Sequence, residues 1–160
     1  RNVLLGAEIN HALTPDIKKR ADSLLEQYGL QRFSRSRPSQ LSGGMRQRAA
    51  LIRTLLLEPE LLLLDEPFSA LDYQTRLTVS DDIGQIIRRS GKTALLVTHD
   101  LSEAVSLSDR IIVLTKRPAR ISSIIPVTFS IENDTPLNRR NAPEFKNYFN
   151  QIWKELNSDE

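Results

Sequence analysis

Leu61-Leu62-Leu63-Leu64-Asp65-Glu66-Pro67 decides how the rest of the chain is read. Consecutive leucines stop at two adjacent carboxylates, and Glu58-Pro59-Glu60 breaks the chain just before them. A run this short and this apolar predicts a strand covered on both faces. In parallel α/β sheets ligands bind at the carboxyl ends of strands, so both acids are delivered to the functional edge. Asp65 suits a Mg2+ ion held through water, because that ion dehydrates reluctantly. Glu66 suits polarising an attacking water. Pro67 is expected to bias Glu66 toward an extended backbone and so fix its aim. A strand that merely ends in two solvated acids has the same local pattern.

Outward from this strand, helical and strand patterns alternate. Upstream, Thr14 and Pro15 open a helix with Ile17, Ala21, Leu24, Leu25 and Tyr28 on one face, closed by Gly29. A polar, basic loop over 31–40 leads to a second helix, expected from Gly44 to about Leu57. Downstream, a helix is predicted over 72–90, a strand over 93–98, a short helix over 101–107 and a strand over 110–114. Such alternation implies a parallel α/β sheet. Residues 121–130 read as extended chain at the rim. Phe145, Tyr148, Phe149, Ile152, Trp153 and Leu156 recur at helical spacing after Pro143 and are expected to dock on the body.

Further stretches carry chemistry. Leu41-Ser42-Gly43-Gly44-Met45 runs into a helix and offers backbone N–H groups at the positive end of its dipole, which suits a phosphate. A simple turn capped by Ser42 explains the same residues. Ser69-Ala70-Leu71-Asp72 follows the acidic pair, and Asp72 is equally placed to cap the next helix. The strand at 93–98 delivers His99-Asp100 to the same edge as Asp65 and Glu66. There an imidazole is able to hydrogen-bond a terminal phosphate and the nucleophilic water, although a lone histidine is more often structural.

Composition narrows the class. With 39% hydrophobic and 26% charged residues, the 160-residue chain reads as one globular domain rather than disordered polymer. A net charge of +2 is too small for a nucleic-acid partner, and the cluster Arg32, Arg35 and Arg37 reads as a solvated loop. Having no cysteine, the chain makes no disulfide or thiolate metal site. No apolar run approaches the ~20 residues of a membrane-spanning helix, and no secretion signal opens the chain. Arg1 and the patterned text that follows it read as the start of an incomplete chain.

Taken in this order, the motifs resemble the nucleotide-binding subunits of ABC transporters over essentially the whole chain. Residues 41–45 are similar to the family's signature motif, 61–66 to its Walker B strand, 69–72 to its D-loop and His99 to its switch histidine. The resemblance implies an α/β, P-loop NTPase-like cassette: a parallel sheet with flanking helices and a helical subdomain over about 13–57. A catalytic core over about 58–120 and a C-terminal extension over about 121–160 would complete it. It implies ATP and Mg2+ as ligands, bound between two such subunits in a homodimer. Ser42, Gly43, Gly44 and Met45 would meet the nucleotide of the partner copy. Asp65 as metal ligand, with Glu66 and His99 as catalytic residues, would serve their own, and Asp72 would couple the two sites. Transmembrane permease subunits, and indirectly a solute-binding protein, are the implied partners, at the cytoplasmic face of the membrane.

The chain departs from the family where G-x-x-x-x-G-K-[ST] is absent, so the P-loop and its strand are missing. That strand belongs between those at 93–98 and 110–114, and its loss is expected to leave apolar edges exposed and the 160 residues alone inactive. Arg117-Pro118-Ala119-Arg120-Ile121 and the closing helix resemble the nitrate, sulfonate and taurine importer group, with Ala119 in place of a glycine. The competing classes are a non-transport ABC ATPase of DNA repair, cohesion or translation, and an inactive remnant. Residues 1–40 show no sustained heptads, which counts against the coiled-coil members.

Overall fold

The computed structural model describes residues 2–157. In chain order its elements are α1 (Leu5–Ile9), α2 (Pro15–Gln27), α3 (Gly43–Leu55), β1 (Leu61–Asp65), α4 (Tyr73–Ser90), β2 (Thr93–Val97), α5 (Leu101–Leu107), β3 (Arg110–Leu114), β4 (Ile121–Pro126), α6 (Pro136–Asn141) and α7 (Pro143–Asn157). Single 3-10 turns lie at Asn2–Leu4, Gln31–Phe33 and Pro38–Gln40. The chain divides into two compact units, one of residues 1–63 and 67–95, the other of 64–66 and 96–160.

In the first unit, local chemistry sets the helix ends. Thr14 Oγ1 accepts the Ile17 N–H at 3.2 Å with Pro15 at the first helical position, so α2 starts where a cap and a fixed φ coincide. Gly91, at φ 64°, ends α4 in the left-handed conformation that costs glycine least. The apolar face of α3 buries Leu51, Ile52 and Leu55, and that of α4 buries Val79, Ile83 and Ile86. The two helices pack on each other. Arg20 pairs with Glu58 and holds the latter's carboxyl below its ordinary range.

In the second unit, β3 and β4 form an antiparallel hairpin in which Ile111 faces Ile125 and Ile112 faces Ile124. One face packs Ile111, Val113, Ile125 and Val127 against Val105 of α5 and Ile152 of α7. Arg139 of α6 is only 3% exposed. It donates to Asp134 Oδ2 at 2.8 Å, Asp109 Oδ1 at 3.1 Å and the Ser108 carbonyl at 2.7 Å, and stacks on Phe129 with its carbon 5.0 Å from the ring centroid. Burial alone would lower its pKa, but the two carboxylates more than offset that and hold the guanidinium charged.

Several expectations need correcting. β1 is not covered on both faces: Leu62 is buried, yet Leu63 is 70% exposed. The reason is sheet size, because β1 pairs in parallel with β2 alone. β3 does not join that sheet; it pairs with β4, and the faces carrying Leu95, Val97, Ile112 and Leu114 stand exposed. The family resemblance places a further strand at this interruption. α7 docks only in part: Ile152 is buried and Phe145 and Tyr148 pack on the core, while Trp153 is 58% exposed. Helix α6 has no counterpart in the sequence reading, since six residues are too few to show a period.

Candidate functional site

β1 and β2 run in the same direction, so both end at one edge of their sheet. The Glu66 N–H donates to the Val97 carbonyl at 2.8 Å, carrying the pairing one residue beyond β1. His99, two residues past the end of β2, then brings its Nδ1 to 3.0 Å from Glu66 Oε1. The sequence places these residues 33 apart, and the paired strand ends bring them together.

Glu66 is not extended, as Pro67 had suggested; its φ is +42°. A left-handed backbone at a residue with a Cβ costs on the order of 1–3 kcal/mol and persists only where its surroundings over-determine it. Here the N–H is tied to β2 and the carboxylate to His99, and these tertiary ties override the local preference of a residue before proline. The hydrogen bond and charge of Glu66 raise the His99 pKa above its ordinary 6.5, with smaller contributions from Glu103 and Asp100. Both side chains remain accessible to a ligand, with 73% of the imidazole and 46% of the carboxylate exposed.

Asp65 closes β1 with an exposed side chain. Among the described residues no group of three or more His, Cys, Asp or Glu gathers around a metal position. A strand-end carboxylate with no cage of protein ligands around it fits an ion that keeps most of its water and takes its remaining ligands from a phosphate, which is how Mg2+ is usually bound. It does not fit a metal that needs an all-protein cage.

The remaining candidates lie in the first unit. Ser42 caps α3, its Oγ accepting the Met45 N–H at 3.3 Å. Arg46 fixes the turn from behind by donating to the Leu41 carbonyl at 2.6 Å. Gly43 and Gly44 form the first helical positions, where N–H groups have no intrahelical acceptor. Gly44 is buried, and a Cβ on it would lie 2.5 Å from Val79 Cγ2. Its glycine is therefore also a packing requirement between α3 and α4, which the sequence reading missed. Asp72 caps α4, accepting the Thr75 N–H at 3.0 Å; hydrogen bonds from the Thr75 side chain and then its N–H hold the carboxyl below the usual range. Gln47 was also missed: its side-chain amide donates to the Pro67 carbonyl at 2.7 Å, so α3 is anchored to the residue that follows the acidic pair. Its spacing from Ser42 carries no signal of that tie.

A cleft of about 400 Å³ also opens in the first unit, between α2, α3 and the 3-10 turns. Leu25, Leu30 and Phe33 are among its apolar lining, and Lys18, Arg46 and Arg53 outnumber Asp22 among its charged lining.

Residues 2–69 match the ABC transporter family. Over 157 residues the chain is 46% identical to an uncharacterized ABC transporter ATP-binding protein, YtlC, of Bacillus subtilis, covering 98% of this chain and 60% of that one. It is 44% identical to the aliphatic sulfonates import ATP-binding protein SsuB of Bacillus licheniformis, covering 91% and 55%. Among solved structures it is similar to cbiO1 of Clostridium perfringens, part of the ABC transporter complex cbiONQ. That match has a TM-score of 0.60 and 30% identity, and covers 69% of this chain and 44% of the other. The chain thus spans 60% and 55% of the length of these two curated relatives.

Proposed function

We propose that this chain, whose sequence and fold are similar to those of ABC transporter ATP-binding proteins, belongs to a subunit that hydrolyses ATP to drive uptake of a small solute such as a sulfonate or nitrate. One observation carries the catalytic assignment: the His99 imidazole meets the Glu66 carboxylate where two parallel strands end. Glu66 accepts a proton from the attacking water and orients it. His99 donates to the terminal phosphate, and its raised pKa favours that donor form. Asp65 would hold a hydrated Mg2+, which would supply charge neutralisation on the phosphates. Ser42, Gly43, Gly44 and Met45 present donors to the nucleotide of a second copy, and Asp72 links the two sites.

The sulfonate importer among the relatives, together with the Arg117–Ile121 turn, supports the importer branch. Short helices in residues 2–40, in place of long coiled-coil arms, support transport over a DNA-repair role. In this reading a permease supplies the membrane-spanning segments; among the described residues no helix is long and apolar enough to cross a membrane. The cleft between α2 and α3 offers that permease apolar side chains and a net positive lining. The subunit would then sit against the cytoplasmic face of the membrane. We further infer that the 160 residues alone do not turn over ATP, because they contain no phosphate-gripping loop and their strand faces stand open.

The deciding experiment is Glu66→Gln in the full-length protein. ATP turnover should fall by about 10²-fold or more while nucleotide binding persists. Turnover near wild type would remove Glu66 from the mechanism.

A further inference from the structure

Glu103 is a carboxylate only 3% exposed, and nothing in the chemistry above uses it. Burying such a group is costly unless it is hydrogen-bonded. One bond comes from Thr98, whose hydroxyl donates to Glu103 Oε2 at 2.7 Å. Having only one proton, that hydroxyl turns its lone pairs to the other side, where it accepts the Asp100 N–H at 3.0 Å. Asp100 in turn accepts the Ser102 and Glu103 N–H groups through Oδ1, at 2.8 and 3.2 Å. The residues on either side of His99 are thus both fastened to the first turn of α5, and the buried carboxylate anchors the chain of bonds.

We propose that Glu103 is a positioning residue that acts through Thr98 to hold the segment 98–100, so that the exposed His99 imidazole meets Glu66. The inference rests on the reading of His99 as the group that meets the terminal phosphate. At 2.7 Å the hydroxyl bond to Glu103 Oε2 is a close one, and the acceptor sits on a helix that is itself capped by Asp100, which suits a fixed anchor. Displacing a catalytic group by about 1 Å is enough to cost roughly a hundredfold in rate.

The test uses the full-length protein with Thr98→Val, Thr98→Ser, Glu103→Gln, Glu103→Ala and His99→Ala. Three properties are measured: kcat and KM for ATP, the melting temperature, and the His99 ring signals in 1H–15N spectra. Thr98→Val keeps the shape and loses the hydroxyl; its kcat should fall between about tenfold and a hundredfold with KM little changed, and the His99 signals should move. Thr98→Ser and Glu103→Gln keep the hydroxyl and an acceptor oxygen, and should restore kcat to within about threefold of wild type. If Glu103→Ala does not fold, the Thr98 pair still decides. Wild-type kcat and His99 signals in Thr98→Val, even with a lowered melting temperature, would overturn the proposal in favour of simple packing. Displaced His99 signals in Thr98→Val together with wild-type turnover in His99→Ala would uphold the positioning and refute the catalytic role of His99.

Discussion

Replacing Gly44 by alanine tests whether the signature-like turn is constrained by packing as well as by the nucleotide contact proposed for it. An added Cβ would stand 2.5 Å from Val79 Cγ2, about 1.0–1.5 Å inside an ordinary carbon contact. Val79 is 4% exposed and β-branched, so its methyl has no easy rotamer to escape into. Overpacking of this kind costs about 1–3 kcal/mol. Removing a helical glycine returns about 0.5–1 kcal/mol. The clash wins, leaving Gly44→Ala less stable by up to about 2.5 kcal/mol. Gly43 is the built-in control: there the Cβ would meet Leu71 Cδ2 at 2.8 Å, but that atom ends a flexible, half-buried side chain. Gly43→Ala should therefore cost under about 1 kcal/mol. Val79→Ala alone opens a cavity worth about 1.5–3 kcal/mol. In the double variant the new Cβ fills part of that cavity, so the two losses should fall short of their sum by at least about 1 kcal/mol. Urea unfolding of the full-length proteins reads all four values. Additivity within about 0.5 kcal/mol would show that the methyl and the glycine do not compete for the same space, and the packing argument would fail.

NMR titration should place the His99 pKa above 6.5, and Glu66→Gln should return it toward that value; no change would mean that Glu66 does not hold the imidazolium. Because the folded pKa is the higher one, the contact's contribution to stability is complete below the ordinary imidazole value and fades as pH rises through the elevated one. Arg139→Met keeps the stem but takes the guanidinium away from two carboxylates, one of them largely solvated, and should cost about 2–4 kcal/mol in urea unfolding. Arg139→Lys should recover less than half of that, since one ammonium cannot span Asp134, Asp109 and the Ser108 carbonyl together. The 160-residue chain purified alone should show no ATP turnover above background in a phosphate-release assay.

The sequence is most legible where a local rule and the fold agree. Thr14, Ser42 and Asp72 are recognisable as caps because a cap is decided within a few residues, and each is found accepting the N–H of the third residue on. The four-leucine run reveals a strand, but its exposure depends on neighbours absent from its own pattern, so Leu63 is misjudged. Pro67 predicts an extended Glu66 for the same local reason, and contacts made 31 and 33 residues away override it. Gln47, Val79 and Glu103 are invisible to spacing rules because each acts through one long-range or buried contact on an ordinary helix face.

The caps also bear on function, because an oxygen already engaged in folding is not always lost to a ligand. Ser42 Oγ accepts the Met45 N–H and still has a proton to donate, so capping α3 and meeting a phosphate are compatible. Asp72 is different. Its carboxylate is ionised and its bond to Thr75 stabilises that charged form, so it offers only acceptor oxygens. An acceptor facing a phosphate is repelled. Any part Asp72 plays between two sites must therefore run through the position of α4 or through a donor on another side chain, and Asp72→Asn separates the two. Asparagine remains a good cap, so an unchanged melting temperature with impaired turnover would identify the charge itself as the functional element.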